Sequence, residues 1–313
     1  MHAASVLQSV LAPAGPQAAH IARLWWLMFW VATAVFVIVS AFVVGAIVWK
    51  RTEPRRDDVL RVAVTLGVAA TVVTLFVLLV ASVWTGRAVA SLGASSTVTI
   101  ELTGHQWWWE AVYDDGTPSQ RFRTANELHI PVGRPVVLKV TSHDVIHSFW
   151  VPNLHGKRDL IPGYTTAIWL QADTPGIYRG QCAEFCGLQH ARMALYVTAE
   201  SNDAFERWRM NQRREAVQPT TDNARLGRDV FLRSTCTQCH TIRGTIAGGA
   251  MGPDLTHLAT RGTIAAGTLP NTRGHLAGWI LDSQSAKPGN QMPPNSLPAG
   301  DLQLLLTYLE TLK

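Results

Sequence analysis

The chain has 313 residues, of which 47% are hydrophobic and 16% charged, and its formal net charge is +5. This length allows two or three domains, and the apolar share is high for a soluble protein. Much of the positive charge lies in one short link near the N-terminus. No basic patch interleaved with aromatic residues is present, so the sequence does not predict nucleic-acid binding.

Two uncharged apolar runs, 24–49 and 62–84, lie near the N-terminus. Each exceeds the roughly 20 helical residues that cross a bilayer core. Tryptophans lie in or near the ends of both runs, as in an interfacial aromatic belt: Trp25, Trp26, Trp30, Trp49 and Trp84. Core helices of soluble proteins seldom have such long uninterrupted runs, so we predict a transmembrane hairpin over 23–88.

The link between the runs, 50–61, sets the orientation. It carries Lys50, Arg51, Arg55, Arg56 and Arg61, and the positive-inside rule places it in the cytoplasm. Both termini then lie outside a bacterial inner membrane, with the later domains on its periplasmic face. Residues 1–22 have little apolar content, broken by prolines, so we expect an external segment rather than a cleaved signal.

From about residue 98 the pattern changes to short strands. Segments such as STVTIELTGHQWWWEAVY and LHIPVGRPVVLKVTS alternate apolar and polar residues and are rich in β-branched and aromatic side chains. Turn signals such as DDGTP and DTPG separate them. We predict a β-sandwich or barrel over 95–200.

The remainder of the chain is predicted to be mainly helical. Residues 201–222 are charged and polar, which indicates a short helix and then a linker. Residues 223–313 contain a helix before CTQCH, a glycine-rich loop, the short helix HLAGWILDS and an amphipathic C-terminal helix. We expect a separate all-α domain here.

The motif CTQCH, residues 236–240, has the spacing of a c-type haem attachment site. Cys236 and Cys239 would bind the haem covalently, and His240 would be its proximal iron ligand. A thioredoxin-like pair would need a βαβ pattern, and a zinc site would need further ligands such as cysteines. This segment has neither, so we predict covalent haem c.

A methionine thioether is the expected sixth iron ligand. Met292 lies in the proline-bounded loop GNQMPPNSLP, whereas Met251 lies in a glycine tract close to the attachment site. We expect Met292 to be the ligand. The order helix, CTQCH, GPDL, late MPP loop and C-terminal helix resembles a small class I cytochrome c over 223–313.

A second motif, GQCAEFCGLQHARM at 180–193, combines thiolate, imidazole and thioether groups, which favour copper. It has one cysteine too many for a blue copper site, but two thiolates can bridge two copper ions. A Cys182–Cys186 disulfide is the alternative. His190 would supply one imidazole, and the other comes from one of several candidates, among which His147 is mildly favoured: His105, His129, His143, His147 and His155.

The order DVIHSFWVPNLHGK, IPG and GQCAEFCGLQHARM resembles the CuA domain of cytochrome c oxidase subunit II. The two-helix anchor and GHQWWWE, residues 104–110, resemble that family as well. The resemblance implies a cupredoxin-like sandwich. With the haem domain behind it, nearly the whole chain is similar to the fused subunit II of caa3-type oxidases.

The resemblance also implies a ligand set. Cys182 and Cys186 would bridge the coppers, His147 and Met193 would complete one copper, and the other would take His190 and the main-chain carbonyl of Glu184. The Glu184 carboxylate would reach a magnesium or manganese ion shared with subunit I.

Three further positions follow from the resemblance. Trp107 matches the family's aromatic residue where electrons enter, although a packing role at an edge strand is the alternative. Asp159 matches an acidic position facing subunit I. The family often has a carboxylate near the cytoplasmic start of the second helix. Asp57 and Asp58 are nearby here, but Leu60 and Arg61 stand where that carboxylate is expected.

We therefore expect a terminal oxidase subunit that passes electrons from its haem to CuA and on to subunit I, where O2 is reduced with proton translocation. Expected partners are subunits I and III and, as donor, a soluble or membrane cytochrome c or an upstream respiratory complex. One alternative is the CuA subunit of a nitric oxide reductase. The other is a membrane-anchored copper-delivery or thiol-redox protein.

Overall fold

The computed structural model describes residues 6–49, 57–91, 98–114 and 116–313. The basic residues of the predicted cytoplasmic link, apart from Arg61, lie outside the described residues, and so does the segment 92–97. Within the described part, the expected architecture is confirmed: a helical hairpin, a β-sandwich and a helical C-terminal domain.

The hairpin consists of α1 (Pro16–Val48) and α2 (Asp57–Ser91), which contact each other. Their most apolar windows have mean hydropathies of 2.7 and 2.6, and both helices are long enough to cross a membrane. Large apolar side chains such as Phe42, 76% exposed, point away from the protein. The two helices therefore have the length and apolar surface of a membrane anchor.

Two sheets form the sandwich. The first contains, in spatial order, β4 (Phe122–Ala125), β3 (Trp108–Asp114), β2 (Thr99–His105), β6 (Val136–Ser142) and β9 (Thr166–Leu170). The second contains β5 (Glu127–Pro131), β11 (Ala194–Glu200), β10 (Gly176–Cys182), β7 (His147–Trp150) and β8 (Arg158–Leu160), with β1 (Val6–Leu7) also pairing with β10. Alternate side chains of these strands form one buried cluster, which includes Ile100, Leu138 and Tyr178.

The N-terminal segment fastens the hairpin to the sandwich. Strand β1 pairs in parallel with β10 through Val6 and Leu7. Just before α1, the Ala14 amide donates to the Asn153 carbonyl at 2.7 Å. Gln17, 1% exposed, donates from Nε2 to the Trp169 carbonyl at 3.0 Å. The first turn of α1 is therefore built into the sandwich.

Residues 201–222 lie packed against both domains. They begin with α3 (Asn202–Arg213), which Ser201 caps and whose Trp208 stacks on the His129 ring at 4.1 Å between centroids. Beyond α3, the buried Ala216 donates from its amide to the Arg243 carbonyl at 3.0 Å. The predicted helix is present, and the segment after it follows the surface of the C-terminal domain.

The C-terminal domain contains α4 (Asp222–Arg233), α5 (Cys236–Cys239), α6 (Arg273–Leu281), α7 (Ser283–Ala286) and α8 (Ala299–Leu309), with a small hairpin of β12 (Thr263–Ile264) and β13 (Leu269–Pro270). Helices α4 and α8 cross at Gly227, where a Cβ atom would lie 2.0 Å from the Leu304 carbonyl oxygen. This close crossing places α5 and the loops after it around one cavity.

Candidate copper and haem sites

Two free thiols lie at one end of the sandwich. Cys182 is the last residue of β10, and Cys186 lies in the turn that follows; they are 2% and 3% exposed. Their sulfur atoms are 3.7 Å apart, compared with about 2.05 Å in a disulfide. The structure therefore has two buried thiols side by side, and the disulfide alternative is not formed.

Four further donors surround the thiols. The distances to the nearer sulfur are 3.8 Å for His147 Nδ1, 3.7 Å for His190 Nδ1, 3.8 Å for Met193 Sδ and 3.2 Å for the Glu184 carbonyl oxygen. The structure thus brings together every group of the copper set that the resemblance implies. Two thiolates, two imidazoles, a thioether and a carbonyl are a donor set that suits copper.

Local backbone features position these donors. On β2, Gly104 leaves room for the His147 ring, since a Cβ atom there would lie 2.7 Å from His147 Cδ2. The Cys182 amide donates to the Met193 carbonyl at 2.9 Å, which holds the two ends of the ligand loop together. Gly187 supplies a positive φ of 109° in the turn before His190.

Asp144 orients His147. Its Oδ1 atom lies 2.8 Å from His147 Nε2, which leaves Nδ1 facing Cys182. Burial opposes a charge on His147, but the bonds to Cys182 and Asp144 outweigh it and raise the pKa of His147. Sequence reasoning missed Asp144; its position three residues before His147 could have indicated an orienting carboxylate.

The contact between the two sulfurs shifts their pKa values in opposite directions. The hydrogen bond between the two sulfurs lowers the pKa of Cys182 despite burial, and His147 and the main chain act in the same direction. The same contact and burial raise the pKa of Cys186 above its ordinary value. Metal binding by both sulfurs must therefore expel one proton, because only thiolates bind.

A cavity of about 380 Å³ opens in the C-terminal domain beside CTQCH. Cys236, Cys239 and His240 line it, together with a largely apolar wall: Phe231, Leu255, Leu258, Ile264, Leu276, Trp279, Ile280, Leu305 and Leu309. Two thiols and an imidazole on the rim of an apolar cavity of this size fit a covalently attached haem.

The His240 ring is held as a metal ligand requires. Its Nδ1 atom donates to the Pro253 carbonyl at 2.8 Å, which leaves Nε2 with its lone pair. Burial lowers the pKa of His240 and favours the neutral ring. The glycine of GPDL, Gly252, permits this packing, because a Cβ atom there would lie 2.7 Å from His240 Cε1.

Both candidate methionines line the cavity, but their surroundings differ. Met251 is 68% exposed. Met292 is partly buried in a loop fixed by hydrogen bonds: its amide donates to Asn290 Oδ1 at 2.9 Å, and its carbonyl accepts from Ser283 Oγ and Gln284 Nε2. The ordered loop supports the expectation for Met292.

Trp107 lies between the two sites. It is 8% exposed, its indole nitrogen donates to the Cys186 carbonyl at 2.9 Å, and its side of the sandwich forms part of the haem cavity wall. Gln106, Trp108 and Asn126 line the same wall. The cavity is therefore closed in part by the copper domain.

The remaining candidates lie elsewhere. His129 contacts Glu127 and Glu200, and His155 contacts the Gly156 carbonyl. His105 and His143 stack on each other, 4.9 Å between centroids, outside the thiol cluster. Asp159 and Glu184 are exposed, so the acidic side chains expected at an interface do lie at the surface.

Comparisons with known proteins match both of the domains that contain these sites. Residues 114–200 match the family "Cytochrome C oxidase subunit II, periplasmic domain", and residues 224–313 match the family "Cytochrome c". A cytochrome c oxidase subunit 2 of Alkalihalophilus pseudofirmus is 35% identical over 97% of this chain and 91% of its own length.

Two further similarities cover a smaller part of this chain. A cytochrome c oxidase subunit 2 of Bacillus subtilis is 28% identical over 70% of this chain and 64% of its own length. The solved periplasmic domain of subunit II of cytochrome oxidase of Bradyrhizobium japonicum is 30% identical, with a TM-score of 0.36, over 38% of this chain and 96% of that domain.

The full-length similarity, the two family matches, the paired hydrophobic helices and the two donor clusters lead to one assignment. The chain belongs to the cytochrome c oxidase subunit II family, as a membrane-anchored subunit of a haem-copper terminal oxidase that carries a CuA domain and a C-terminal cytochrome c domain.

Proposed function

We propose that this chain takes electrons at its haem domain and passes them through its copper domain to subunit I, where O2 is reduced to water with proton translocation. One observation carries the proposal. The ring of Trp107 borders the haem cavity and is hydrogen-bonded to the Cys186 carbonyl in the ligand loop of the copper site. One side chain thus connects the two candidate cofactor sites.

The copper ligands are proposed as the resemblance implies. Cys182 and Cys186 would bridge two copper ions, with His147 and Met193 on one ion, and His190 and the Glu184 carbonyl on the other. When bound, the copper pair supplies one-electron redox chemistry. The chain's own residues shield the donors from solvent and restrict their movement. Both thiols and His147 are buried, and Asp144 fixes the orientation of the His147 ring.

The haem ligands are proposed in the same way. Cys236 and Cys239 would form the thioether bonds, and His240 and Met292 would bind the iron. The Pro253 carbonyl fixes the orientation of His240, and the hydrogen-bonded loop fixes Met292. The apolar cavity wall excludes water from the iron ligands.

The surface of the ligand loop is proposed to meet subunit I. The Glu184 side chain is exposed beside Phe185, which is 78% exposed. The Glu184 carboxylate would bind magnesium or manganese shared with subunit I, and Asp159 would lie at the same interface.

Subunit III is a further proposed partner. The proposed electron donor is a soluble or membrane cytochrome c or an upstream respiratory complex.

The proposed location is a bacterial inner membrane, with both cofactor domains on its periplasmic face. In this arrangement, residues 1–22 are external, 23–88 span the membrane, 95–200 form the copper domain, 201–222 connect the domains and 223–313 bind the haem. Asp57 begins α2 at the cytoplasmic end.

Metal analysis and EPR of the full chain in detergent, matured with haem and copper, test the proposal. We expect two coppers per haem iron and an unpaired electron split by two copper nuclei. Cys182→Ser should abolish this signal while leaving the haem spectrum unchanged. One copper per chain, or none, would overturn the binuclear assignment.

Redox titration of two methionine variants tests the iron ligand. Met292→Ala should lower the haem reduction potential, because a thioether ligand raises it. Met251→Ala is the matched control and should leave the potential unchanged. The opposite pattern would assign Met251 instead.

A further inference from the structure

Lys287 is a buried cation at the boundary between the two cofactor domains. It follows α7 in the haem domain and is 2% exposed. Its Nζ atom donates to three main-chain carbonyls: Trp107 at 2.8 Å, Arg192 at 2.9 Å and Ala265 at 3.2 Å. Two of these three belong to the copper domain.

The surroundings of Lys287 match an ammonium group. A protonated lysine has three N–H donors, and three carbonyls surround it. A buried charge is costly unless its hydrogen bonds are satisfied, so this arrangement is stable only with the domains in contact. Burial lowers the pKa of Lys287 to about 7 and Arg192 acts in the same direction, while Cys186 opposes both.

The carbonyls that Lys287 binds flank the copper ligands. Arg192 precedes Met193, and Trp107 is hydrogen-bonded to Cys186. Neighbouring bonds join the same surfaces: Gln189 Nε2 donates to the Pro288 carbonyl at 2.7 Å, and the Ala194 amide donates to the Ala266 carbonyl at 3.0 Å. The haem domain is thus attached to the ligand loop itself.

We propose that Lys287 is a positioning residue. Its hydrogen bonds to the carbonyls of Trp107, Arg192 and Ala265, here called the latch, hold the haem domain over Trp107. The latch thereby fixes the haem cavity against the copper domain for electron transfer. The positioning role of Lys287 rests on the proposed function, but the latch does not. While the latch is closed, Trp107 is covered, so an external donor protein must deliver its electrons to the haem domain.

Amine labelling of the native chain tests the latch without a mutation. The full-length protein in detergent is treated with acetic anhydride, and each lysine is followed by mass spectrometry. Lys139, which is exposed on β6, is the internal reference. We expect Lys287 to react at least about tenfold more slowly. Equal reactivity of the two lysines would overturn the latch.

The variant Lys287→Met keeps most of the side-chain length and removes the donors; Lys139→Met is the control. Hydroxyl-radical footprinting should show Trp107 oxidised several-fold faster in Lys287→Met only. Haem-to-copper transfer after flash reduction should slow by about tenfold, with the copper EPR signal unchanged. Continued protection of Trp107 would contradict the latch. If the variant does not fold, the labelling result decides.

Footprinting of Trp107 and the haem-to-copper transfer rate together distinguish the latch from the proposed electron route. Exposure of Trp107 with slower transfer supports both the latch and the electron route. Exposure of Trp107 with an unchanged transfer rate would retain the latch, but it would overturn both the positioning role of Lys287 and the route through Trp107.

Discussion

The indole nitrogen of Trp107 donates a hydrogen bond to the carbonyl of Cys186 at 2.9 Å, and Gln106 Nε2 donates to the same oxygen at 2.8 Å. The Cys186 carbonyl therefore keeps one partner if the indole bond is removed. This relationship allows the contribution of Trp107 to electron transfer to be separated from its contribution to folding.

Trp107→Phe keeps an aromatic ring in the cavity wall and removes the N–H group. We expect a loss of about 1 kcal/mol in stability and about tenfold slower haem-to-copper transfer, measured after flash reduction. Trp108→Phe is the control, since Trp108 lines the same cavity but is not bonded to the ligand loop in the described structure. Equal slowing in both variants would argue against a special role for Trp107.

Asp144→Asn should weaken copper binding. The amide can no longer hold His147 Nε2 as a carboxylate does, and losses of about 10- to 100-fold in affinity are typical for such orienting groups. Competition titration with a copper chelator measures the change. Asp173→Asn, at an exposed position, should bind copper as the native chain does. Unchanged affinity in Asp144→Asn would show that the ring needs no orienting carboxylate.

The buried His129 predicts a pH-dependent contribution to stability. Its two ring nitrogens lie 2.8 Å from carboxylate oxygens of Glu127 and Glu200. Burial opposes its charge, but these carboxylates outweigh burial and raise the pKa of His129 above its ordinary 6.5. Despite burial, the same contacts lower the pKa of Glu127 below its ordinary 4.5.

The pH dependence of stability follows from the directions of these two pKa shifts. The stabilisation from His129 is complete below pH 6.5 and is lost as pH rises through its raised pKa. That from Glu127 is complete above pH 4.5 and is lost as pH falls through its lowered pKa. His129→Gln should therefore cost most, about 3 kcal/mol, between these values, because both carboxylates lose the buried cation that they face.

Thermal unfolding of the full chain in detergent, at pH 5.5 and again at pH 9, measures this effect. The difference in Tm between the native chain and His129→Gln should shrink at the higher pH. The exposed His275→Gln should show a small difference at both. A difference that grows with pH would show that His129 is neutral in the folded protein.

Gly252→Ala should disturb the haem ligand. The added Cβ atom would lie 2.7 Å from His240 Cε1, and relief requires the ring or the loop to move at a cost of about 1–3 kcal/mol. We expect an altered haem absorption spectrum. Gly248→Ala, whose Cβ atom would have no neighbour within 4 Å, should keep the native spectrum. Identical spectra for both variants would contradict the prediction.

Sequence patterns predicted the parts of this protein that repeat or cluster along the chain. The apolar runs predicted the hairpin, the alternation predicted most strands, and five of the six proposed copper donors lie within the single motif at 180–193. Very short strands such as β8 have too few residues for a pattern. Sequence alone favoured His147 over His143 only mildly, and the resemblance chose it; in the structure His147 is buried, whereas His143 is exposed.

The contacts that Lys287 makes between the domains could not be predicted from the sequence. Lys287 binds carbonyls that lie 180 and 95 residues earlier in the chain, and a carbonyl carries no side-chain identity to detect. From its polar composition, the segment 201–222 was predicted to be a short helix followed by a linker. Its few apolar side chains, among them Trp208, lie against partners distant in sequence, so composition alone did not reveal them.

The parallel pairing of Val6 and Leu7 with β10 has a geometric consequence for the whole enzyme. Strand β10 ends at Cys182, and α1 begins at Pro16, with Gly15 packed against the Gln171 carbonyl. Main-chain bonds at the start of α1 therefore fix the first hydrophobic helix relative to the strand that ends at Cys182. The N-terminal segment thus sets the distance between the two thiols and the first turn of the hydrophobic hairpin, in addition to joining the two parts of the chain.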